Sequence, residues 1–124
     1  MLRVVIESPY AGNIERNLRY LRACMHDCLQ RGESPYASHG LYPQPGVLSD
    51  EDPVERDWGI QAGFAWRDSA EKTVVYGDLG TSTGMKYGVA DAEKKKRPIE
   101  HRFLGANWEE DYEELLKTRP GPGW

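Results

Sequence analysis

The chain alternates short β-branched runs with longer stretches in which apolar residues recur every three or four positions. The β-branched runs predict strands at 2–7, 34–38, 73–76 and 99–104, and the longer stretches predict helices between and after them. Strands that alternate with helices form a parallel sheet with right-handed crossovers. The pattern therefore predicts an α/β fold, a three-layer sandwich around a parallel sheet of four to five strands.

Helix boundaries follow from capping residues. Asn13 is a predicted N-cap for the first helix and Asp52, followed by proline, for the second. The third helix is predicted at 84–95, and Asn107 with Glu110 is predicted to cap a last helix whose apolar residues face inward, namely Trp108, Tyr112, Leu115 and Leu116.

The second helix is apolar on two sides. Its predicted inner stripe is Val54, Trp58, Ala62, Ala65 and Trp66, and a second apolar face carries Ile60 and Phe64. A helix of this kind is either deeply buried or partly used as an interface. We interpret it as a homo-oligomer contact.

Length, composition and charge narrow the class of protein that this sequence encodes. At 124 residues, with 39% hydrophobic and 29% charged residues, one globular domain is expected at 1–117, followed by a loose tail at 118–124. The net charge of −4 argues against bulk nucleic-acid binding. No apolar run reaches the roughly 18 residues of a membrane span, and the first residues do not resemble a signal peptide. We expect a soluble cytoplasmic protein without a membrane partner.

Two cysteines, Cys24 and Cys28, lie four residues apart in the first predicted helix. A disulfide within a regular helix is geometrically awkward, and a metal site would need further ligands. We expect buried, reduced thiols, and predict no metal and no cofactor.

Ligands of parallel sheets bind beyond the carboxyl ends of the strands. Here the loops after the first and third strands, SPYAGN and GDLGTSTG, supply glycines and hydroxyls just before helix N-termini. This composition suits a phosphate or ribose hydroxyls, although plain helix capping explains the third-strand loop equally well. The candidate ligand-binding residues are Ser8, Tyr10, Gly12, Asn13, Gly80, Thr81, Ser82, Gly84 and Met85.

Charged and titratable residues are predicted at the same edge. Glu7 ends an otherwise apolar strand and therefore needs a partner or a chemical role. Asp78 follows the third strand, and Arg16 is the arginine of the first helix that can reach the loops. His39 either acts as a base or fixes its loop, and the structural role is favoured.

Several segments carry a family resemblance: IESPYAGNIERN, ASHGLYPQPGVL, PVERDWGIQAG and YGDLGTSTGMKYGVADAEKKKRPIEHRFL. They resemble small uncharacterised phage and actinobacterial proteins, which are similar to the nucleoside 2-deoxyribosyltransferase superfamily that includes deoxynucleotide N-glycosidases. The resemblance covers about residues 2–104. It implies a flavodoxin-like, Rossmann-like parallel sheet and assembly into dimers or higher oligomers.

The resemblance also implies roles for single residues. Ser8, Tyr10, Ser82 and Gly84 match positions that hold the sugar and any 5′-phosphate, and Asp57 matches an aspartate that contacts the sugar. The nucleophilic glutamate of the superfamily lies in a Gly-x-x-Tyr-Glu pattern. Here the pattern reads Gly84-Met85-Lys86-Tyr87-Gly88, so that glycine replaces the glutamate.

Three hypotheses follow from this replacement, since attack at an anomeric carbon by an enzymic nucleophile needs a carboxylate. The first is a protein that binds or sequesters a nucleoside- or nucleotide-like ligand without cleaving it. The second is an N-glycosidase or deoxyribosyltransferase in which Glu7 supplies the carboxylate, with Asp57 as the second catalytic candidate. The third is a structural oligomerisation module.

Overall fold

The computed structural model describes residues 1–121, and they contain one parallel sheet of four strands in the order β2-β1-β3-β4. The strands are β1 (Leu2–Glu7), β2 (Glu33–Tyr36), β3 (Lys72–Tyr76) and β4 (Ile99–Arg102). The helices are α1 (Ile14–Gln30), α2 (Pro53–Arg67), α3 (Thr83–Lys94) and α4 (Trp108–Thr118), with a 3-10 turn at Ser38–Gly40. The α/β fold and the parallel sheet are confirmed.

Two predicted strands are too long at their carboxyl ends. β2 begins at Glu33 and stops at Tyr36, because the chain turns into the 3-10 turn where the prediction continued the strand to residue 38. β4 stops at Arg102, because the backbone N–H groups of Leu104 and Gly105 turn away to donate to Asp78 at 2.8 and 2.9 Å. Both errors lie at the edge where the candidate site was expected.

One face of the sheet is covered by α1 and α4. Residues of β1 and β3 pack there with α1 in a buried cluster that includes Val4, Ile6, Val74, Tyr20 and Leu21. Cys24 and Cys28 belong to the same cluster as buried free thiols, as predicted. The alternate residues of β1 and β3, among them Val5, Glu7 and Val75, face the other side, where α3 packs against the sheet.

The last helix completes the first face. Trp108 and Tyr112 are buried, as predicted, and the Trp108 ring meets Tyr20 edge-on at a centroid distance of 4.9 Å. Leu115 is partly buried against the core, but Leu116 is 40% exposed and does not face inward. Asn107 precedes the helix without a side-chain capping bond in the described part of the chain, so the predicted cap is wrong.

A buried ion pair crosses this face. The Arg102 side chain is 3% exposed and donates to both carboxylate oxygens of Glu33, at 2.8 and 2.7 Å. It also lies 3.1 Å from the hydroxyl of Tyr76. The bidentate contact joins the two edge strands of the sheet, β2 and β4.

The second helix packs differently from its prediction. Among the residues of α2, all of which the structure describes, Gly63 alone is buried. The large residues of the predicted inner stripe, Val54, Trp58 and Trp66, are 59–61% exposed and face solvent in the single chain. Ile60, on the second predicted apolar face, is 46% exposed. The inner side is formed by two glycines, since Gly59 lies against Leu48 and Gly63 against Ser38. No helix among residues 1–121 is long and apolar enough to cross a membrane.

Candidate functional site

The loop after β1 is held in place by the first turns of α1. Asn17 donates its side-chain amide to the backbone carbonyls of Tyr10 and Ala11, at 2.9 and 3.0 Å. Gly12 has a φ of +98°, which favours glycine. Asn13 is the predicted N-cap, and its side-chain oxygen accepts from the backbone N–H of Arg16 at 3.2 Å. The loop is therefore rigidly attached to the start of the helix.

The loop after β3 reaches α3 in a similar way. Gly80 has a φ of +85° and closes a turn by donating its N–H to the carbonyl of Gly77 at 3.1 Å. Ser82 is the N-cap of α3, and its hydroxyl accepts from the backbone N–H of Met85 at 3.2 Å. Two helix starts thus lie beside two glycine-containing loops.

An open groove of about 310 Å3 lies between the two loops. Both N-cap residues, Asn13 and Ser82, line it, so the positive ends of two helix dipoles meet at one cavity. Arg16 lines it as well, although its side chain is paired with Glu109 at 2.6 Å. The groove residues are Pro9, Ala11, Asn13, Arg16, Asn17, Leu79, Thr81 and Ser82.

Glu7, Ser8, His39 and Arg67 form a second group of polar residues, which lies next to the groove but does not line it. Glu7 and Ser8 are buried, and His39 and Arg67 are partly buried. The Ser8 hydroxyl and the Nε2 atom of His39 are 2.8 Å apart. One terminal nitrogen of Arg67 donates to Glu7 Oε2 at 2.7 Å. The Nε atom of Arg67 is buried and has no hydrogen-bond partner within residues 1–121. Ser8 and Glu7 are 5% and 3% exposed.

Burial dominates the electrostatics of this cluster. It raises the pKa of Glu7 from 4.5 to about 7, against the opposing effects of Arg67 and Arg97, and Asp91 raises it further. Burial also lowers the pKa of His39 to about 4, and Arg67 adds to that shift. At neutral pH the imidazole is therefore uncharged, and Glu7 is divided between its two protonation states.

Gly88 explains how a carboxylate fits under α3. A Cβ atom added at Gly88 would overlap all three terminal atoms of the Glu7 side chain. The carboxylate of Glu7 therefore occupies the space that any larger side chain at position 88 would need. The residue that replaces the glutamate of the Gly-x-x-Tyr-Glu pattern is in direct contact with the acid that was suggested as its substitute.

Asp78, a predicted ligand contact, lies outside the groove lining and is hydrogen-bonded within the fold. Its carboxylate accepts from the Tyr20 hydroxyl at 2.5 Å and from the two backbone N–H groups after β4. Burial raises the pKa of Asp78, but these hydrogen bonds outweigh it and the net pKa lies below the usual range. The carboxylate joins the ends of β3 and β4 to α1.

Three further candidates lie outside the groove. Met85 is 1% exposed and packs in the interior, where its sulfur accepts from the N–H of Ser82. Asp57 is exposed on α2, on the side opposite to the inward Gly59 and Gly63, and the structure does not bring it to Glu7. Tyr10 is half-buried, and burial followed by the charge of Asp50 raises its pKa.

Arg67 and Asn17 are site residues that the sequence did not reveal. Arg67 sits in the last turn of α2, where a cation is expected for the helix dipole alone. Asn17 lies within the α1 sequence and carries no motif. Gly84 is exposed at the start of α3, with only the Ser82 hydroxyl near its Cβ position, at 3.9 Å.

Comparison with known proteins places this chain in a family. A family model described as a domain of unknown function, DUF7768, matches residues 2–102. The chain belongs to this family. A search of curated proteins returned no match.

The fold of this DUF7768 member also has a solved counterpart. A 2-deoxyribosyltransferase from Bacillus psychrosaccharolyticus is 12% identical, with a TM-score of 0.67 over 84% of this chain and 74% of that chain. At this identity the likeness shows the fold, and it confirms the expected deoxyribosyltransferase-like architecture. The resemblance to phage and actinobacterial proteins stays a prediction.

Proposed function

We propose that this chain binds a nucleoside or nucleotide in the groove between the loops after β1 and β3. The observation that carries the proposal is the meeting of two helix N-caps, Asn13 and Ser82, on one open cavity. Backbone N–H groups at helix starts favour a phosphate, and the neighbouring hydroxyls and amides suit a sugar. The shared fold with a 2-deoxyribosyltransferase supports the same ligand class.

Calorimetry with nucleosides and their 5′-monophosphates tests this proposal. Thr81→Val removes a hydroxyl that lines the groove while keeping the shape of the side chain, and it should weaken binding about 5- to 10-fold. Thr83→Val is the matched control, because Thr83 is exposed two residues away and does not line the groove. The absence of heat or thermal stabilisation with every nucleoside and nucleotide would contradict the proposal.

A second candidate function is cleavage or transfer at the glycosidic bond with Glu7 as the carboxylate. It is favoured by one observation, the carboxylate of Glu7 in the space next to Gly88. In such a reaction the carboxylate attacks the anomeric carbon, the base leaves with a proton, and water or a second base then releases the sugar.

Chromatographic detection of free base from deoxynucleosides and deoxynucleotides tests this candidate. Glu7→Gln should abolish release, and the exchange variant Glu7→Gly with Gly88→Glu vacates the space beside α3 and returns a carboxylate to that helix. Restored release in the exchange variant supports the mechanism. Release by Glu7→Gln at the wild-type rate would refute a role for Glu7.

We also propose that α2 forms a contact between copies of this chain. Four large apolar side chains of α2 are 46–61% exposed, and exposed apolar patches of this kind mark interaction sites. The test is the molar mass in solution by light scattering. Trp58→Glu should give a monomer, whereas Leu29→Glu, at an equally exposed position at the end of α1, should leave the mass unchanged.

A further inference from the structure

The last residue of β1 and the residue that follows it hold the segment that covers the sheet edge. Glu7 contacts Arg67 at the end of α2, and Ser8 contacts His39 in the 3-10 turn. The two partners lie near opposite ends of residues 38–67, which comprise the 3-10 turn, the following loop and α2. We call residues 38–67 the lid segment.

The lid segment packs mainly on itself. A Cβ atom added at Gly63 would lie 3.0 Å from the Ser38 side chain, and one added at Gly59 would lie 3.1 Å from Leu48, so α2 rests on its own turn and loop. Towards the rest of the chain, apart from the two polar contacts, Gly40 lies against the Leu21 side chain and the Trp66 ring lies 6.1 Å from the ring of Tyr36. Segments with few buried apolar contacts open at low free-energy cost.

The contact of Glu7 with the lid segment also removes its carboxylate from water. The Glu7 side chain is 4% exposed and lies between Arg67 and the backbone of α3 at Gly88. One arginine does not offset the loss of hydration of a buried carboxylate. A closed lid therefore favours the protonated acid, and an open lid that exposes Glu7 favours the carboxylate.

We propose that residues 38–67 form a lid, held shut by Glu7 and Ser8, that opens as Glu7 loses its proton. Opening would expose both residues beside the groove, since the next residue of the chain, Pro9, lines it. The inference concerns motion of the chain alone and does not depend on the ligand proposed above.

The size of the pH effect on lid opening follows from the difference between the pKa of Glu7 in the closed state and in the open state. The charged groups that act on Glu7 are Arg67 of α2, Asp91 of α3 and Arg97 after α3, and their balance with burial gives a closed-state pKa of about 7. His39, in the 3-10 turn, is uncharged in this range because burial lowers its pKa to about 4. With 4.5 as the limit for a fully exposed Glu7, the opening constant rises by up to about 30-fold between pH 5.5 and 8.5.

Hydrogen exchange of the full chain, read by mass spectrometry at pH 5.5–8.5 and corrected for intrinsic rates, tests the lid. Peptides from residues 38–67 should show a rise of up to about 30-fold, and peptides from α1 should not. Glu7→Gln keeps the shape of the side chain without its charge and should remove the rise. Arg56→Gln, an exposed change on α2, is the control and should keep it.

Proton titration provides a second measurement on the wild-type chain. The carboxyl carbon of Glu7 and the indole resonance of Trp66 should titrate together with a midpoint near 7. An indole signal of Trp66 that does not move with Glu7 would overturn the proposal. A rise in exchange that persists in Glu7→Gln, or one that is equal in every peptide, would overturn it as well.

Discussion

A methyl group added at Gly88 should destabilise the chain strongly, although alanine is the better helix former. The added Cβ would overlap the carboxylate of Glu7, which is buried between α3 and Arg67. Overpacking a buried site costs about 1–3 kcal/mol. Displacing the ion pair adds about 1–2 kcal/mol, since a displaced carboxylate regains water. The higher helix propensity of alanine offsets about 1 kcal/mol of this destabilisation. The expected net loss is about 1–4 kcal/mol.

Gly84→Ala provides the matched control in the same helix. The Cβ position of Gly84 has only the Ser82 hydroxyl nearby, at 3.9 Å, so this change should stabilise the chain by up to about 1 kcal/mol. Urea unfolding followed by circular dichroism at pH 7 and fixed protein concentration measures both. In a Glu7→Ala background the cost of Gly88→Ala should fall below about 1 kcal/mol. Equal stability of Gly88→Ala and Gly84→Ala would refute the reasoning.

Three further changes test other parts of the structure by the same unfolding measurement. Asp78→Ala removes the acceptor of three hydrogen bonds at the ends of β3 and β4, and should cost about 2–4 kcal/mol. Arg102→Met leaves the buried Glu33 without its bidentate partner, and should cost about 3–5 kcal/mol. In the folded chain the pKa of Glu7 is raised from 4.5 to about 7. The stability that the protonated Glu7 side chain contributes is therefore present below pH 4.5 and lost as the pH rises through 7. Relative to Glu7→Gln, the wild type should lose about 3 kcal/mol between pH 4.5 and 8.

The sheet and its helices could be predicted because their local patterns agree with the tertiary packing. The β-branched residues Val4–Ile6 of β1 and Thr73–Val75 of β3 are buried, and the capping bonds of Asn13 and Asp52 form as their sequence suggests. Prediction failed where a long-range contact decides the local structure. β4 ends early because Asp78, about 25 residues upstream, binds the N–H groups that would have continued the strand.

Part of the candidate site could also be predicted, because there too the local sequence pattern agrees with the tertiary structure. The loops before α1 and α3 carry their own turn and capping residues, and the structure brings both to one groove. The separate cluster of Glu7 and Arg67 depends on two residues that are 60 positions apart, and no local pattern reports such a pair. The apolar stripe of α2 was wrongly predicted to face the core of the chain, whereas it faces outward. An apolar helix face indicates that something covers it, but not whether the covering surface belongs to the same chain.

The glycine at position 88 and the glutamate at position 7 form one packing unit. A glycine inside a helix is normally unfavourable by about 1 kcal/mol relative to alanine. Here the smaller residue makes room for a carboxylate from the neighbouring strand, so a substitution at either position changes the environment of the other. The binding hypothesis and the cleavage hypothesis therefore differ in one physical respect, which is whether Glu7 reaches a ligand in the groove. If the lid opens and Glu7 reaches the ligand in the groove, the carboxylate is available for chemistry. If Glu7 stays under α3 with Arg67, its role is to hold the lid, and the groove binds without cleaving.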